Sequence, residues 1–156
     1  MSRSVRLSTL QLRFPVRSDR PDWPVVQIHV DGHEAFVDQL PEWQGFDPAA
    51  ILGDRSPLLP QDLGRRVAVY RCRCGIPGCG VIAPVIMPSP DGRRVSWVDF
   101  RDYVGVFDGP IAPDSDRFEG RPWPIPDLHF ERGQYVAEIR RASADPFFQT
   151  PRGAGL

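Results

Sequence analysis

Eighteen prolines and fourteen glycines are scattered along a chain of 156 residues, and they limit the length of every regular element. Proline removes a backbone donor and clashes with the preceding helical turn, so a protein of long helices is excluded. Short strands joined by turns are what such a chain can form. The fold class read from this pattern is α+β: a mainly antiparallel β meander or curled sandwich, with one C-terminal helix packed on the sheet. At this length the chain can bury roughly two-thirds of its unfolded surface, enough to fold as one domain without disulfides. Residues 1–149 are expected to form that single globular domain, with 150–156 a flexible tail.

Within that frame, Val5–Phe14 reads as a strand whose apolar face switches partway, which a bulge would explain. Val25–Val30 is a second strand and ends at Asp31-Gly32, a turn signal. His33–Leu40 reads as a short helix. Gly45–Leu63 reads as a long irregular connection, in which Asp47-Pro48 starts a helical turn through Ala49, Ala50 and Leu52. The middle of the chain is an antiparallel meander. Val67–Cys74 is followed by a Gly-Ile-Pro-Gly turn and the return strand Val81–Met87. After the turn at 88–92 comes Arg94–Phe100, with Val95 and Trp97 on one face and Val98 and Phe100 on the other. Tyr103–Phe107 continues it. Residues 108–126 are turn-rich and anchored by Trp123. Glu131–Ala144 is the helix: Tyr135, Val136, Ile139 and Ala142 fall at helical spacing, and Asp145-Pro146 ends the run.

Charge excludes several functions. The formal net charge is −1, so no overall basic field draws nucleic acid or an anionic membrane. All 19 basic residues are arginine. Without lysine there is no P-loop lysine, no Schiff base and no lysine general base. The N-terminus has no continuous apolar h-region, and no stretch approaches the ~18 apolar residues that span a bilayer. A cytoplasmic location follows as the expectation, where thiols stay reduced.

The distinctive chemistry is the run Cys72-Arg73-Cys74-Gly75-Ile76-Pro77-Gly78-Cys79, which holds all three cysteines. Residues two apart in a strand share a face, so Cys72 and Cys74 point the same way. A turn at Ile76-Pro77 pairs Cys74 with Cys79, and a turn at Pro77-Gly78 pairs Cys74 with Val81. Both registers put the three thiols on one face, whereas a three-residue loop would break this. Three readings stay open. The thiols are small, half-buried core side chains. They are ligands of a zinc ion, Cys72, Cys74 and Cys79 supplying three positions and His29, His33, His129 or a distant carboxylate the fourth. Or they do thiol redox chemistry, although no C-x-x-C at a helix N-terminus lowers a thiol pKa, and Arg71 and Arg73 fall on the opposite face.

Other motifs carry less. His33-Glu34 lacks the second histidine of a zinc-protease helix, since position 37 is Val37. No G-x-S-x-G elbow occurs, and Gly78-x-Gly80 lacks the context of a dinucleotide site. Asp99, Asp102 and Asp108 beside Arg101 read as a solvated segment with local ion pairs. Trp23, Trp43, Trp97 and Trp123 read as core or loop anchors, with an exposed binding surface as the other option.

The run Tyr70–Gly80, followed by Val95-Ser96-Trp97-Val98-Asp99-Phe100, resembles a group of uncharacterised bacterial proteins. They share a Cys-x-Cys-Gly-x-x-Gly-Cys hairpin and a later aromatic-acidic strand. The resemblance covers about the central third of the chain, as one continuous meander would. It implies a shared module, with no activity and no catalytic residue attached. The residues alone favour a non-enzymatic interaction protein whose partner is another protein, not nucleic acid or a membrane. The alternative is a small thiol- or zinc-dependent enzyme using the Cys72/Cys74/Cys79 face. No catalytic residue and no cofactor other than zinc is assigned, and the sequence sets no oligomeric state.

Overall fold

The computed structural model describes residues 6–14, 25–72 and 79–145, and antiparallel pairing dominates them. Trp23, Cys74 and the expected tail at 150–156 lie outside the described residues. The fold is α+β, mostly antiparallel sheet with one C-terminal helix against it. No helix among the described residues is long and apolar enough to cross a membrane.

A small sheet forms from β1 (Leu10–Arg13), β2 (Gln27–Val30) and β3 (His33–Glu34), in that order. Asp31 and Gly32 both take positive φ, 54° and 86°, which gives the primed turn that suits a two-residue hairpin. That hairpin sets His33 opposite Val30. The short helix expected at 33–40 is therefore not formed. His33–Glu34 pairs back onto β2, and residues 35–40 are turns. Phe36 sits in the left-handed region at φ 68°, a conformation that breaks a right-handed helix. The expected bulge in the first strand is also replaced. Leu10 and Leu12 are buried on one side, while Ser8 leaves β2 and donates its N–H to the His129 carbonyl at 2.7 Å. Leu7 is exposed, so it does not bury an opposite face, and the described part of the strand needs no inserted residue.

The large sheet contains β4 (Gln44–Gly45), β5 (Arg65–Arg66), β6 (Tyr70–Arg71), β7 (Val81–Pro88), β8 (Arg94–Tyr103), β9 (Arg121–Pro122) and β10 (Leu128–Glu131). Its main order is β10-β8-β7-β6-β4, with β5 on β7 and β9 on β8. The single turn α1 (Pro48–Ile51) follows Asp47, as expected from Asp47-Pro48. Gly45 has no room for a side chain, since a Cβ there would lie 1.8 Å from the Val26 carbonyl oxygen. This close approach lets the Val26 N–H reach the Phe46 carbonyl at 2.8 Å and joins the two sheets.

The bulge occurs in β8 instead. Val98 pairs with Val85 and Arg101 with Ala83, so three steps on β8 match two on β7. Asp99 takes φ 53° at the extra position. One inserted residue reverses the alternation, so Phe100 returns to the face of Trp97 and does not lie opposite it. Phe100 is buried and meets Phe36 edge-on at 5.4 Å between centroids. Arg66 holds the bulge by donating to the Asp99 carbonyl and, at 2.8 Å, to its carboxylate.

Helix α2 (Arg132–Ser143) matches the expected helix within a residue at each end. Glu131 caps it, its carboxylate accepting from the Gln134 N–H. Tyr135, Ile139 and Ala142 are buried. The next face covers the free edge of β1. Gln134 accepts from the Leu10 N–H and donates to its carbonyl, Glu138 accepts from the Leu12 N–H, and Arg141 donates to the Leu12 carbonyl. Side chains four and seven residues apart thus stand in for a missing strand and close an edge that would otherwise invite pairing.

Tyr135 is fully buried. Its hydroxyl accepts from Trp97 Nε1 at 3.0 Å and donates to the Leu58 carbonyl. Burial pushes this phenol well above the ordinary tyrosine range. Tyr135→Phe strands one buried donor and one buried acceptor. It is expected to lower unfolding free energy by about 1–3 kcal/mol in urea titrations, and an unchanged midpoint would mean the hydroxyl contributes nothing.

Candidate functional site

The cysteine hairpin grows out of β6 and β7, and its register is set by the core beneath them. Tyr70 pairs with Ile82 and Arg71 with Val81. The Tyr70 ring is buried edge-on against Phe36, and its hydroxyl accepts from the Ile28 N–H at 3.2 Å. Arg71 is buried too. It donates to the Gly45 carbonyl at 3.0 Å, pairs with Asp47 at 3.2 Å and lies over the Phe46 ring. These contacts pull Arg71 towards β4 and away from the thiols. The ladder continues one step, the Cys72 N–H donating to the Gly80 carbonyl at 2.9 Å.

This register is offset by one residue from the expected pairing of Cys74 with Cys79 and by three from that of Cys74 with Val81. Regular strand geometry would then put Cys72 and Cys79 on opposite faces. The chain leaves the strand at that point, and Cys79 lies in a 3₁₀ turn. Its sulfur comes 3.8 Å from that of Cys72. The two thiols therefore meet through the turn and not through strand alternation. Cys79 is exposed and Cys72 partly exposed, and their separation is a non-bonded one, well beyond an S–S bond. Cys74, the third expected ligand, lies outside the described residues.

Trp43 stands beside the pair. A Cβ on Gly80 would lie 3.5 Å from Trp43 Cη2 and 3.8 Å from Cys72 Cβ. The sequence carries no signal for this neighbour, because β4 is only two residues long and shows no periodicity. The Gln44–Arg71 pairing alone brings it there.

The histidines offered as a fourth ligand are elsewhere. His129 lies on β10, three strand spacings from β6, or about 14 Å. Its Nδ1 is 2.7 Å from Ser96 Oγ. His29 is buried opposite Glu34, with Nε2 2.7 Å from Gln27 Oε1. Burial and then Arg13 lower its pKa. His33 pairs with Val30 on the small sheet and is exposed. Among the described residues no cluster of three or more His, Cys, Asp or Glu side chains could hold a metal ion.

The acidic segment forms local ion pairs, as expected. Asp99 meets Arg66 and Arg101 at 2.8 and 2.9 Å, and Asp102 meets Arg121 at 2.9 Å. Hydrogen bonds from Arg66 and then Arg101 hold the Asp99 carboxyl below the usual range. Trp97 is fully buried, and Trp123 is half-buried with Arg121 over its ring.

No family model, no curated protein and no solved structure matches this chain.

The two sulfurs are close enough for one atom to bridge them. A Cys74→Ser chain should still take up an arylarsenical across Cys72 and Cys79, a bridge that requires two adjacent thiols. Intact-mass spectrometry checks the adduct, and no uptake would mean that the sulfurs do not meet in solution.

Proposed function

We propose that this chain is a small interaction protein whose cysteine hairpin is clipped by a zinc ion. One observation carries the zinc reading. Thiolates lie about 2.3 Å from a tetrahedral zinc, which puts two of them about 3.8 Å apart. Cys72 and Cys79 have that separation, 3.8 Å. In this reading Cys74 is the third thiolate, and the hairpin is the module suggested by the resemblance to the bacterial group. The clip needs a reducing compartment such as the cytoplasm. Zinc would do for this short turn what packing does for the rest of the sheet, since metal binding to such a loop is also folding free energy.

The interaction role draws support from surface chemistry. Arg93, Arg132 and Arg140 make no side-chain hydrogen bond or ion pair among the described residues, and they flank the half-buried Val136. Arginine is enriched where proteins make energetic contacts.

The same sulfur pair fits a second reading, a dithiol that closes to a disulfide. Purification under reducing conditions with metal analysis separates the two. Zinc binding predicts about one zinc per chain, a lower melting temperature after chelation, and loss of the metal in Cys79→Ser. A metal-free chain that takes up neither zinc nor cadmium, and whose stability is unchanged by Cys79→Ser, contradicts it. A Cys72–Cys79 disulfide formed by mild oxidant in that metal-free chain would favour the redox reading instead.

A further inference from the structure

We infer that the groove between α2 and the β7–β8 turn receives an acidic, partly apolar segment of a partner protein. This deepens the interaction reading and rests on it, while it is independent of the zinc clip. The groove is open and measures about 950 Å³. Its wall is the outer side of α2: Arg132, Val136 and Arg140 follow one another at four-residue spacing, and Ala137 and Arg141 form the adjoining row. This side lies away from Tyr135, Ile139 and Ala142, which face the core. The second wall is the turn that carries Gly92 and Arg93.

The turn is built to leave Arg93 available. Asp91 spends its carboxylate inside it, accepting from Ser89 Oγ at 2.5 Å and from the Arg93 N–H at 3.0 Å. The Arg93 carbonyl then accepts from the Arg132 N–H at 2.9 Å, which fixes the turn against the start of α2. Among the described residues, of the four arginines in the groove only Arg141 is in an ion pair, with Glu138 at 2.8 Å and Asp145 at 3.8 Å. Arg93, Arg132 and Arg140 form no ion pair among the described residues; Asp91 acts on Arg93 only from a distance, and Glu131 is the one carboxylate in the described lining, so positive charge is in excess.

The form of the occupant follows from the charge and the floor. The chain as a whole is at −1, so this positive charge is local and answers a short acidic stretch, not the long phosphate run of a nucleic acid. A bare phosphate is disfavoured because the carboxylate of Glu131 already takes the Gln134 N–H at the helix start, at 2.5 Å. Val136 and Ala137 between the arginines offer apolar surface that a phosphate cannot use. Arg132 and Arg140 are eight residues apart on the helix, about 12 Å along its axis. An extended segment with acidic residues about four apart and an apolar residue between them spans that distance. Pairs on an exposed rim favour orientation and encounter rate, so binding should weaken as salt rises.

The probe is a fluorescein-labelled peptide, Gly-Glu-Ala-Leu-Ala-Glu-Gly, titrated against the full chain at low salt by anisotropy and by backbone amide shifts. Saturable binding that shifts α2 and the 89–93 turn is expected, with at least tenfold weakening in Arg132→Glu/Arg140→Glu and in a Glu→Gln peptide. Both substitutions are at exposed positions, and a thermal melt confirms the fold. If the double variant does not fold, Arg140→Ala with a several-fold loss is the substitute. No binding, binding unchanged by these variants, or a preference for duplex DNA or anionic vesicles over the peptide would overturn the inference. Loss of the groove alone is distinguishable from loss of the wider reading. If a stoichiometric natural partner still binds the double variant, only the groove is wrong. If the wild-type chain has no such partner, the interaction reading fails as well.

Discussion

Three distant parts of the chain meet at the buried hydroxyl of Tyr135. It accepts a hydrogen bond from Trp97 on β8 and donates one to the Leu58 carbonyl in the connection before β5, while its ring belongs to α2. A buried hydroxyl without partners is costly, so this geometry specifies one seat for the helix. Once seated, the helix lays Gln134, Glu138 and Arg141 along the edge of β1. The small sheet then has a closed edge on that side and a fixed distance from the large one. The aromatic rings of Trp97, Phe130 and Tyr135 fill the space between, with centroids 5.3 to 6.4 Å apart.

The arginine groove follows from that seating, whereas the cysteine hairpin, at the other end of β7, is set by contacts of its own. The strands under the hairpin are locked by Tyr70 and Arg71, whose partners lie on β2 and β4 and in the segment after β4. Their register is decided by the core, and the turn must accommodate it. Cys79 leaves the strand, and that departure is what brings two sulfurs together. The groove arises because α2 has a second exposed side once its core and β1 faces are used. The turn at 89–93 is tied to the first residue of the helix and supplies the facing wall.

What was legible in the sequence was local. Asp31-Gly32 and Pro-Ser-Pro-Asp-Gly are turn chemistry that works at any tertiary position, and both turns form where expected. The spacing of Tyr135, Ile139 and Ala142 announced α2 because helix periodicity is intrinsic to the segment. The rest depended on partners far along the chain. Phe100 changes face because Arg66, 33 residues before Asp99, stabilises an extra residue in the strand. β3, β4, β5 and β9 are two residues long and have no period to read. The cysteine spacing marked the site, but the closeness of Cys72 and Cys79 required a 3₁₀ turn that strand arithmetic could not supply, and Trp43 entered only through the β4–β6 pairing.

The two surfaces suggest a division of labour in the proposed interaction protein: a metal-held hairpin that keeps one end of the sheet in shape, and a charged groove that meets the partner. The first half depends on sulfur being bound to the metal. X-ray absorption at the zinc edge, on chain purified in reducing buffer and reconstituted with one equivalent of zinc, measures this directly. A zinc held by the hairpin gives a sulfur shell at about 2.3 Å, diminished in Cys79→Ser. A shell of nitrogen and oxygen only, unchanged by that substitution, would contradict it.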